Sequence, residues 1–430
     1  MADSNPVRSF RIVCPAGREH LVEALLRSQG YDFEPEPISP WVRRLTHEPR
    51  PLGSSIAAFF GLIYIQDRSS MLPPLALAPE QGAAVLDMCA SPGSKTGFLA
   101  QLTGPDGFVM GNEPNPQRLA TLRQNLFTLN LPHTATCSYS GETLPLPDGM
   151  WRRIQLDPPC SGWGTVDKNP NVLKLWKGDK VKPLVGIQRL LLKEAARLLA
   201  PGGVVVYSTC TTNIQENEEQ VRWAVEELGL VPEPVAPFEG FVFEDPLLPG
   251  CEGTLRVNPA CSSAQGFYIA RFRKEGSPAT PPAASPLQVL AVNRRSVEAP
   301  CADSNLLPDG EIALFGNNAL FLPRQALTML PSAFRWRGYP LGKAARGEVR
   351  LSPRLHCMMP DMKNCPQHAI NVDDPALLTG LLSGQSIDLS ADEHLGRNFD
   401  ISSQEAGVYF KGLPLGRLRV KGRRALWTER

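Results

Sequence analysis

From Ala83 to Lys274 the chain alternates short apolar runs with amphipathic segments, and this constrains the fold more than any other feature. "AAVLDM" precedes "KTGFLAQL", "GFVMGNE" precedes "PQRLATLRQNLFTLN", and "RRIQLD" precedes "KPLVGIQRLLLKEAARLLAPGG". "VVVYSTC", "ENEEQVRWAVEELG" and "GFYIARF" complete the series. Strands separated by helical patterns predict a mostly parallel, doubly wound sheet with helices on both faces. In such sheets ligands bind beyond the carboxyl ends of the strands, so the residues that end each apolar run are the ones to read for chemistry.

The first of these ends, "VLDMCASPGSKTGFLAQL" (residues 85 to 102), leaves the strand through a loop of small residues and re-enters as a helix. Pro92 and Gly93 permit a sharp turn, and the amides opening the helix suit a carboxylate or an adenosine-bearing ligand. The spacing does not match GxxxxGK[ST], which disfavours a phosphate loop for ATP. The next end, "VMGNEPN", carries Glu113, a side chain able to accept both hydroxyls of a ribose. A dinucleotide and S-adenosylmethionine fit equally to this point.

"IQLDPPCSGWGT" (residues 154 to 165) narrows the choice. Asp157, two prolines and Cys160 form a stiff loop, with Gly162 and Gly164 around Trp163, which suits an extruded base. Methyltransferases that act on the amino group of adenine use a related loop with an aromatic residue where Cys160 stands, and they need no thiol. Carbon 5 of a pyrimidine, by contrast, is a poor nucleophile until a thiolate adds to carbon 6. A second thiol, Cys210 in "VVVYSTCTTN", ends a later strand 50 residues on, and in a doubly wound sheet the two ends should be neighbours. One thiol could add to the ring while the other assists release by taking a proton. The competing reading makes both cysteines inert core residues.

At these positions the chain resembles the RNA cytosine carbon-5 methyltransferases of the Nop/Sun type, and most of all their bacterial F-type members. The resemblance runs from about Arg8 to Lys274 through "YIQDRSSMLP", "CASPGSKT", "NEPNPQR", "DPPCSGWG", "KNPNVLKLW", "PGGVVVYSTCT" and "ENEEQV", and continues more faintly beyond. It implies a class I, Rossmann-like S-adenosylmethionine-dependent methyltransferase fold, with a small N-terminal α/β subdomain and a C-terminal PUA-like α+β module. It implies Cys210 as the nucleophile, Cys160 as the group that helps remove the carbon-5 proton, Asp157 as a hydrogen-bond partner of the base near ring nitrogen 3, and Lys95 as a charge favouring thiolate. The cofactor, S-adenosylmethionine, would lie along Cys89, Ala90, Ser91, Pro92, Gly93, Ser94 and Lys95, with its ribose on Glu113, and Asp157 beside it. Ser140 stands where the family usually has an aspartate near the adenine amino group, and Gln265 replaces an acid before "GFYIA". The implied product is 5-methylcytosine in small-subunit (16S) ribosomal RNA. A transfer RNA or multi-site enzyme, or a non-catalytic RNA-binding assembly factor of the same fold, are the alternatives.

The domain boundaries expected are an N-terminal RNA-binding subdomain over 1–52, a catalytic domain over 53–274, a linker over 275–300 and the PUA-like module over 301–430. The linker rests on "EGSPATPPAASPLQ", rich in Pro, Ala and Ser. With 44 Lys plus Arg against 43 Asp plus Glu, any anionic partner must be held by local patches. Two stretches supply them: residues 335–354, with six basic residues to one acid and Trp336 and Tyr339 interleaved, and residues 411–430, with seven to one. Lys168, Asn169 and Pro170 are candidates to line an RNA groove. The longest apolar stretch near the N-terminus, Ser55 to Ile65, is too short for the ~18 to 20 residues a bilayer span needs. With no secretory signal in view, the ten cysteines are expected as reduced thiols in a cytoplasmic monomer without metal, partnered by ribosomal RNA and by neither DNA nor membrane. His356, Cys357, Cys365 and His368 lack a paired CxxC and read as core residues sooner than as a zinc site.

Overall fold

The strand β1 (Ala84–Asp87) is the centre from which the large central sheet is built. It is flanked on one side by β2 (Phe108–Asn112) and β3 (Thr134–Cys137), and on the other by β4 (Trp151–Leu156) and β5 (Leu199–Thr209), all parallel. The order β3-β2-β1-β4-β5 reverses direction between β1 and β4, and crevices for ligands open at such switch points. A further strand, β6 (Phe267–Lys274), pairs antiparallel with β5 and carries the sheet on into short strands at 230–233, 255–257 and 243–244. The structure is a computed structural model that describes residues 8–167, 169–276, 291–293, 297, 299–345, 348–390, 395 and 399–429. Most of the expected linker, and Lys168, lie outside the described residues.

The helices follow the periodicity of the sequence. They are α1 (Ser94–Thr103) after β1, α2 (Pro116–Thr128) after β2, α3 (Lys182–Leu198) before β5 and α4 (Glu218–Leu228) after it. Asn115 caps α2 by accepting the amides of Gln117 and Arg118, and Pro116 occupies the first turn, where its missing N–H costs nothing. Leu191, Leu192, Ala195 and Leu198 of α3 recur at helical spacing and pack on the face of the sheet that carries Ile154, Leu156, Val205 and Tyr207. The opposite face, with Val85, Val109, Val204 and Val206, is covered by Leu99 and Ala100 of α1 and Leu119, Leu122 and Leu126 of α2.

The flanking regions are tied into this core. An N-terminal four-stranded sheet (Ser9–Ile12, Asp32–Pro35, Val42–His47, Ile63–Ile65) shares an apolar cluster with a C-terminal five-stranded sheet built from residues 369–372, 386–388, 405–410, 413–421 and 424–426. Trp427 meets Phe59 and Phe60 edge-on at 5.8 and 5.4 Å. A second five-stranded C-terminal sheet contains β8 (Tyr339–Ala345) and β9 (Glu348–Leu351). Just before it, β7 (Trp336–Arg337) joins the outer edge of β3, and Ala326, Leu330 and Phe334 enter the catalytic core. Phe334 stacks on Tyr139 at 4.9 Å, and the Arg335 amide donates to the Tyr139 hydroxyl at 2.7 Å. Among the described residues no helix is long and apolar enough to cross a membrane.

Because Phe334 is buried in the catalytic core from a position beyond residue 300, Phe334→Ala should cost about 3–5 kcal/mol. Urea denaturation followed by fluorescence should show the loss in the transition of the catalytic sheet itself.

Candidate active site

The crevice beyond β1, β4 and β5 collects the two sulfurs. Cys160, in the loop after β4, and Cys210, at the tip of β5, lie with Sγ atoms 3.3 Å apart, each partly accessible. The 3.3 Å separation follows from the loop's attachments. Gly164 donates its amide to the Cys210 carbonyl at 3.0 Å and accepts from the Gly266 amide at 3.0 Å. A Cβ on Gly164 would sit 2.1 Å from the Gly266 carbonyl oxygen, so only glycine allows this approach of three backbones.

A buried carboxylate anchors the same loop from below. Glu216, fully shielded from solvent, accepts the Ser161 amide at 2.9 Å, the Ser161 hydroxyl, the Gln188 amide group at 2.9 Å and the Asn213 amide group at 3.1 Å. Gln188 also donates to the Pro159 carbonyl at 2.9 Å, and Ser161 shares a 2.8 Å hydrogen bond with Thr211, the residue after Cys210. The loop that carries one thiol and the chain that leaves the other are thereby bound to one acid. Reading the strand ends alone missed Glu216, Ser161 and Gln188. The available signal was the acid opening "ENEEQV", which reads as a helix start.

Asp157 sits beside the sulfurs with both oxygens engaged, one by the Lys95 ammonium at 2.7 Å and one by the Ser208 hydroxyl at 2.8 Å. Burial alone would lower the Lys95 pKa, but the charge and hydrogen bond of Asp157 more than offset it and raise it. Lys95 is therefore a permanent cation, with its ammonium 5.3 Å from the centre of the Phe267 ring. The two thiols are driven apart. A hydrogen bond from the Cys160 thiol holds Cys210 below the ordinary thiol value against burial and the Asp157 charge, with Lys95 a lesser aid. The same shared bond, reinforced by burial, keeps Cys160 protonated well above that value. The main stabiliser of a Cys210 thiolate is thus the neighbouring thiol, with the lysine expected from the resemblance acting second.

The loop after β1 folds as a cradle. Gly93 has φ +107 with the Leu122 side chain 3.1 Å from where a Cβ would lie. Asn125 donates to the Pro92 carbonyl at 2.7 Å, and Ser91 and Arg118 exchange hydrogen bonds with each other's backbone at 3.0 and 3.2 Å. No side chain caps α1, so the amides of Ser94 and Lys95 are left to a ligand. Thr96 closes the loop from within by donating to Asp87 at 2.7 Å and to the Ala90 carbonyl at 3.2 Å. Burial raises the Asp87 carboxyl to about 7 and pushes the Cys89 thiol well above its usual range, so Cys89 is no nucleophile. Glu113, almost fully buried, accepts the Asn115 amide at 2.9 Å and pairs with Arg118 at 3.3 Å. Ser140, beyond β3, is exposed and donates to Glu142, so nothing in the structure ties its hydroxyl to the crevice.

Other candidates fall elsewhere. Tyr339 is buried and its hydroxyl donates to the Phe127 carbonyl at 3.0 Å, while Trp336 packs against the core, so neither ring is presented as a stacking surface. His356 Nε2 lies 3.0 Å from the Phe60 carbonyl, and Cys365 lies 3.0 Å from Cys301, sulfur to sulfur. Among the described residues no group of three or more His, Cys, Asp or Glu is placed to hold a metal.

A family model described as 16S rRNA methyltransferase RsmB/F matches residues 74–273. A methyltransferase homolog protein from Pyrococcus horikoshii, a solved structure, is 33% identical with a TM-score of 0.55, covering 62% of this chain and 86% of that one. The chain belongs to the RsmB/F family. Ribosomal RNA small subunit methyltransferase F of Salmonella heidelberg (strain SL476) is 39% identical over 266 residues, which are 60% of this chain and 55% of the relative. The chain thus spans about half the length of the curated relatives it matches. NSun6 from Pyrococcus horikoshii, solved with SFG, shares the fold at a TM-score of 0.55 and 20% identity, over 63% of this chain and 91% of that one. The RsmB/F family is one of S-adenosylmethionine-dependent RNA cytosine-5 methyltransferases.

Titration of Cys210 should report the shared hydrogen bond directly. Its alkylation by iodoacetamide, followed by mass spectrometry of the peptide, should reach half-maximal rate at a pH below that of an ordinary thiol. Cys160→Ala removes the S–H donor and should move that midpoint upward.

Proposed function

We propose that the protein transfers a methyl group from S-adenosylmethionine to carbon 5 of a cytosine in small-subunit ribosomal RNA, in the cytoplasm. The observation that carries this reading is the pair of sulfurs 3.3 Å apart beside Asp157 and Lys95, in surroundings that push the Cys210 thiol down and the Cys160 thiol up from the ordinary value. Methylation of an exocyclic nitrogen requires neither; activation of a pyrimidine ring carbon requires a nucleophile and then a group to accept a proton.

Cys210 adds through Sγ to carbon 6 of an extruded cytosine. Asp157, whose carboxylate has lone pairs beyond those used by Lys95 and Ser208, accepts from the 4-amino group beside ring nitrogen 3 and so holds the ring in place while addition creates the enamine. The cofactor, when bound, supplies the electrophilic methyl group. Residues 89–95 and the uncapped amides of α1 would hold it, with Glu113 facing its ribose, a fit supported by the small-residue cradle and the buried carboxylate. Cys160, no longer facing a thiolate once Cys210 has added, gives up its proton to solvent and as thiolate takes the proton on carbon 5; the electron pair of that carbon–hydrogen bond re-forms the 5,6 double bond, and the carbon–sulfur bond breaks to release Cys210 as thiolate. The C-terminal basic segments and the N-terminal sheet would grip structured RNA through its backbone, as the expected PUA-like module implies.

The test is gel mobility under denaturing conditions with a ribosomal RNA transcript and cofactor. Cys160→Ala should accumulate a protein–RNA adduct, Cys210→Ala should form none, and both should lose multiple-turnover methylation by at least about a hundredfold. Adduct in neither variant would refute the covalent route, and bisulfite sequencing of the RNA would locate the modified cytosine.

A further inference from the structure

A cleft of about 640 Å³ separates the outer wall of the catalytic domain from the C-terminal sheet that contains β8 and β9. Its catalytic wall is α2 and the part of β3 that β7 leaves uncovered, since β7 pairs only with Thr136 and Cys137. Its other wall is β8 and β9. Four cations line it: Arg123 from α2, Arg337 from β7, Lys343 from β8 and Arg350 from β9. The acid in the lining, Glu429, is paired with Arg354 at 2.9 Å. Arg123 donates to the Thr136 hydroxyl at 2.9 Å and Lys343 to Asn318 at 2.8 Å, and among the described residues none of the four cations has a carboxylate at ion-pair distance.

The placement of these charges opposes folding. Lys343 and Arg350 stand directly opposite each other across the β8–β9 pair, where like charges repel. Arg123, half buried, is held below the ordinary arginine value by burial and then by the charge of Arg337. The walls are fixed by Tyr339, which donates to the Phe127 carbonyl, and by Asn130, which bonds the Arg354 carbonyl and the Cys357 amide at 3.0 and 3.1 Å. The repulsion is thus built into a preformed groove. A polyanion would relieve it.

We propose that this cleft is a docking site for the sugar-phosphate backbone of RNA, held by Arg123, Arg337, Lys343 and Arg350 and separate from the crevice of the two thiols. The proposal rests on the reading of the substrate as RNA. Guanidinium forks match phosphate oxygens in pairs, and three of the four cations are arginines. β3 lies three strand positions from β4, roughly 14 Å at a strand spacing of ~4.8 Å, so a single RNA molecule can occupy both sites. The cleft reads no bases. Its contribution is affinity and orientation of the RNA beside the crevice.

The test compares Lys343→Glu/Arg350→Glu with the otherwise unaltered chain, both carrying Cys210→Ala so that no covalent adduct contributes to binding. Affinity for a small-subunit ribosomal RNA transcript is measured as a function of salt. The double variant should bind about tenfold or more weakly at 100 mM salt, and its log–log salt slope should be shallower by about 1 to 2. Arg337→Gln, a milder change, should move both quantities the same way by a smaller amount, and it carries the test if charge reversal lowers the unfolding midpoint. Unchanged affinity and slope in a folded variant overturn the proposal. So does competition by inorganic phosphate alone at millimolar concentration, which would mark a small-anion site, or by polyglutamate as effectively as by RNA, which would mark an acidic protein partner. If the chain without cleft substitutions fails to bind RNA at all, the substrate reading falls as well, whereas a salt slope lowered by the cleft substitutions together with no methyl transfer by the protein that keeps Cys210 would keep the cleft and remove the catalytic reading.

Discussion

One buried carboxylate determines whether two strand ends can act together. Glu216 accepts four donors drawn from the Cys160 loop, from α3 and from the turn after β5. Hydrogen bonds to a charged acceptor contribute about 1.5–3 kcal/mol each in favourable cases, but the larger consequence is geometric. A carboxylate stripped of water must keep its donors, so the loop cannot drift without exposing an unsatisfied charge. The sulfur separation depends on this attachment and on the approach of Gly164 to the Cys210 and Gly266 backbones. Its effect is chiefly positional, and its charge adds to what keeps the Cys160 thiol protonated.

The catalytic sheet was legible in the sequence because its signals are local. Runs such as "AAVLDM" and "VVVYSTC" announce buried parallel strands by continuous apolar composition, and α3 and α4 announce themselves by spacing. β3 is the counterexample: "TATC" offers two threonines, an alanine and a cysteine, and becomes a strand because the edge of β2 is available to pair with it. β7 is more extreme, since two residues carry no periodicity, and its pairing with β3 depends on Phe334 and Tyr139 stacking across about 195 residues of chain. Strand addition at an edge is a tertiary event and leaves no trace in a local pattern.

Site residues divide in the same way. Cys160, Cys210, Asp157 and Glu113 could be singled out because each ends a strand, and topology alone brings such positions to one edge, whereas Lys95 came only from the family resemblance. Glu216, Ser161 and Gln188 could not, because their significance lies in partners 28 to 55 residues away. Trp336 and Tyr339 show the reverse error available to sequence reasoning. Aromatic residues among basic ones suggest a stacking surface, yet here the rings serve as the packing that fixes β7 and β8 against the catalytic wall.

The division of labour between the thiols follows from what surrounds each sulfur. The charge of Lys95 favours a Cys210 thiolate, but it is largely neutralised by Asp157 at 2.7 Å, and the carboxylate itself opposes ionisation of both thiols. A donor with no charge of its own escapes this cancellation. The Cys160 thiol can stabilise a Cys210 thiolate without attracting a counterion, and it does so only while it keeps its proton. In the route proposed above, a carbon–sulfur bond at Cys210 would remove that acceptor, so the Cys160 proton would be released to solvent at the stage when a base is needed. The same 3.3 Å contact therefore favours ionisation of one sulfur before addition and release of a proton from the other after it. A single lysine beside a single thiol could supply the first effect but not the second.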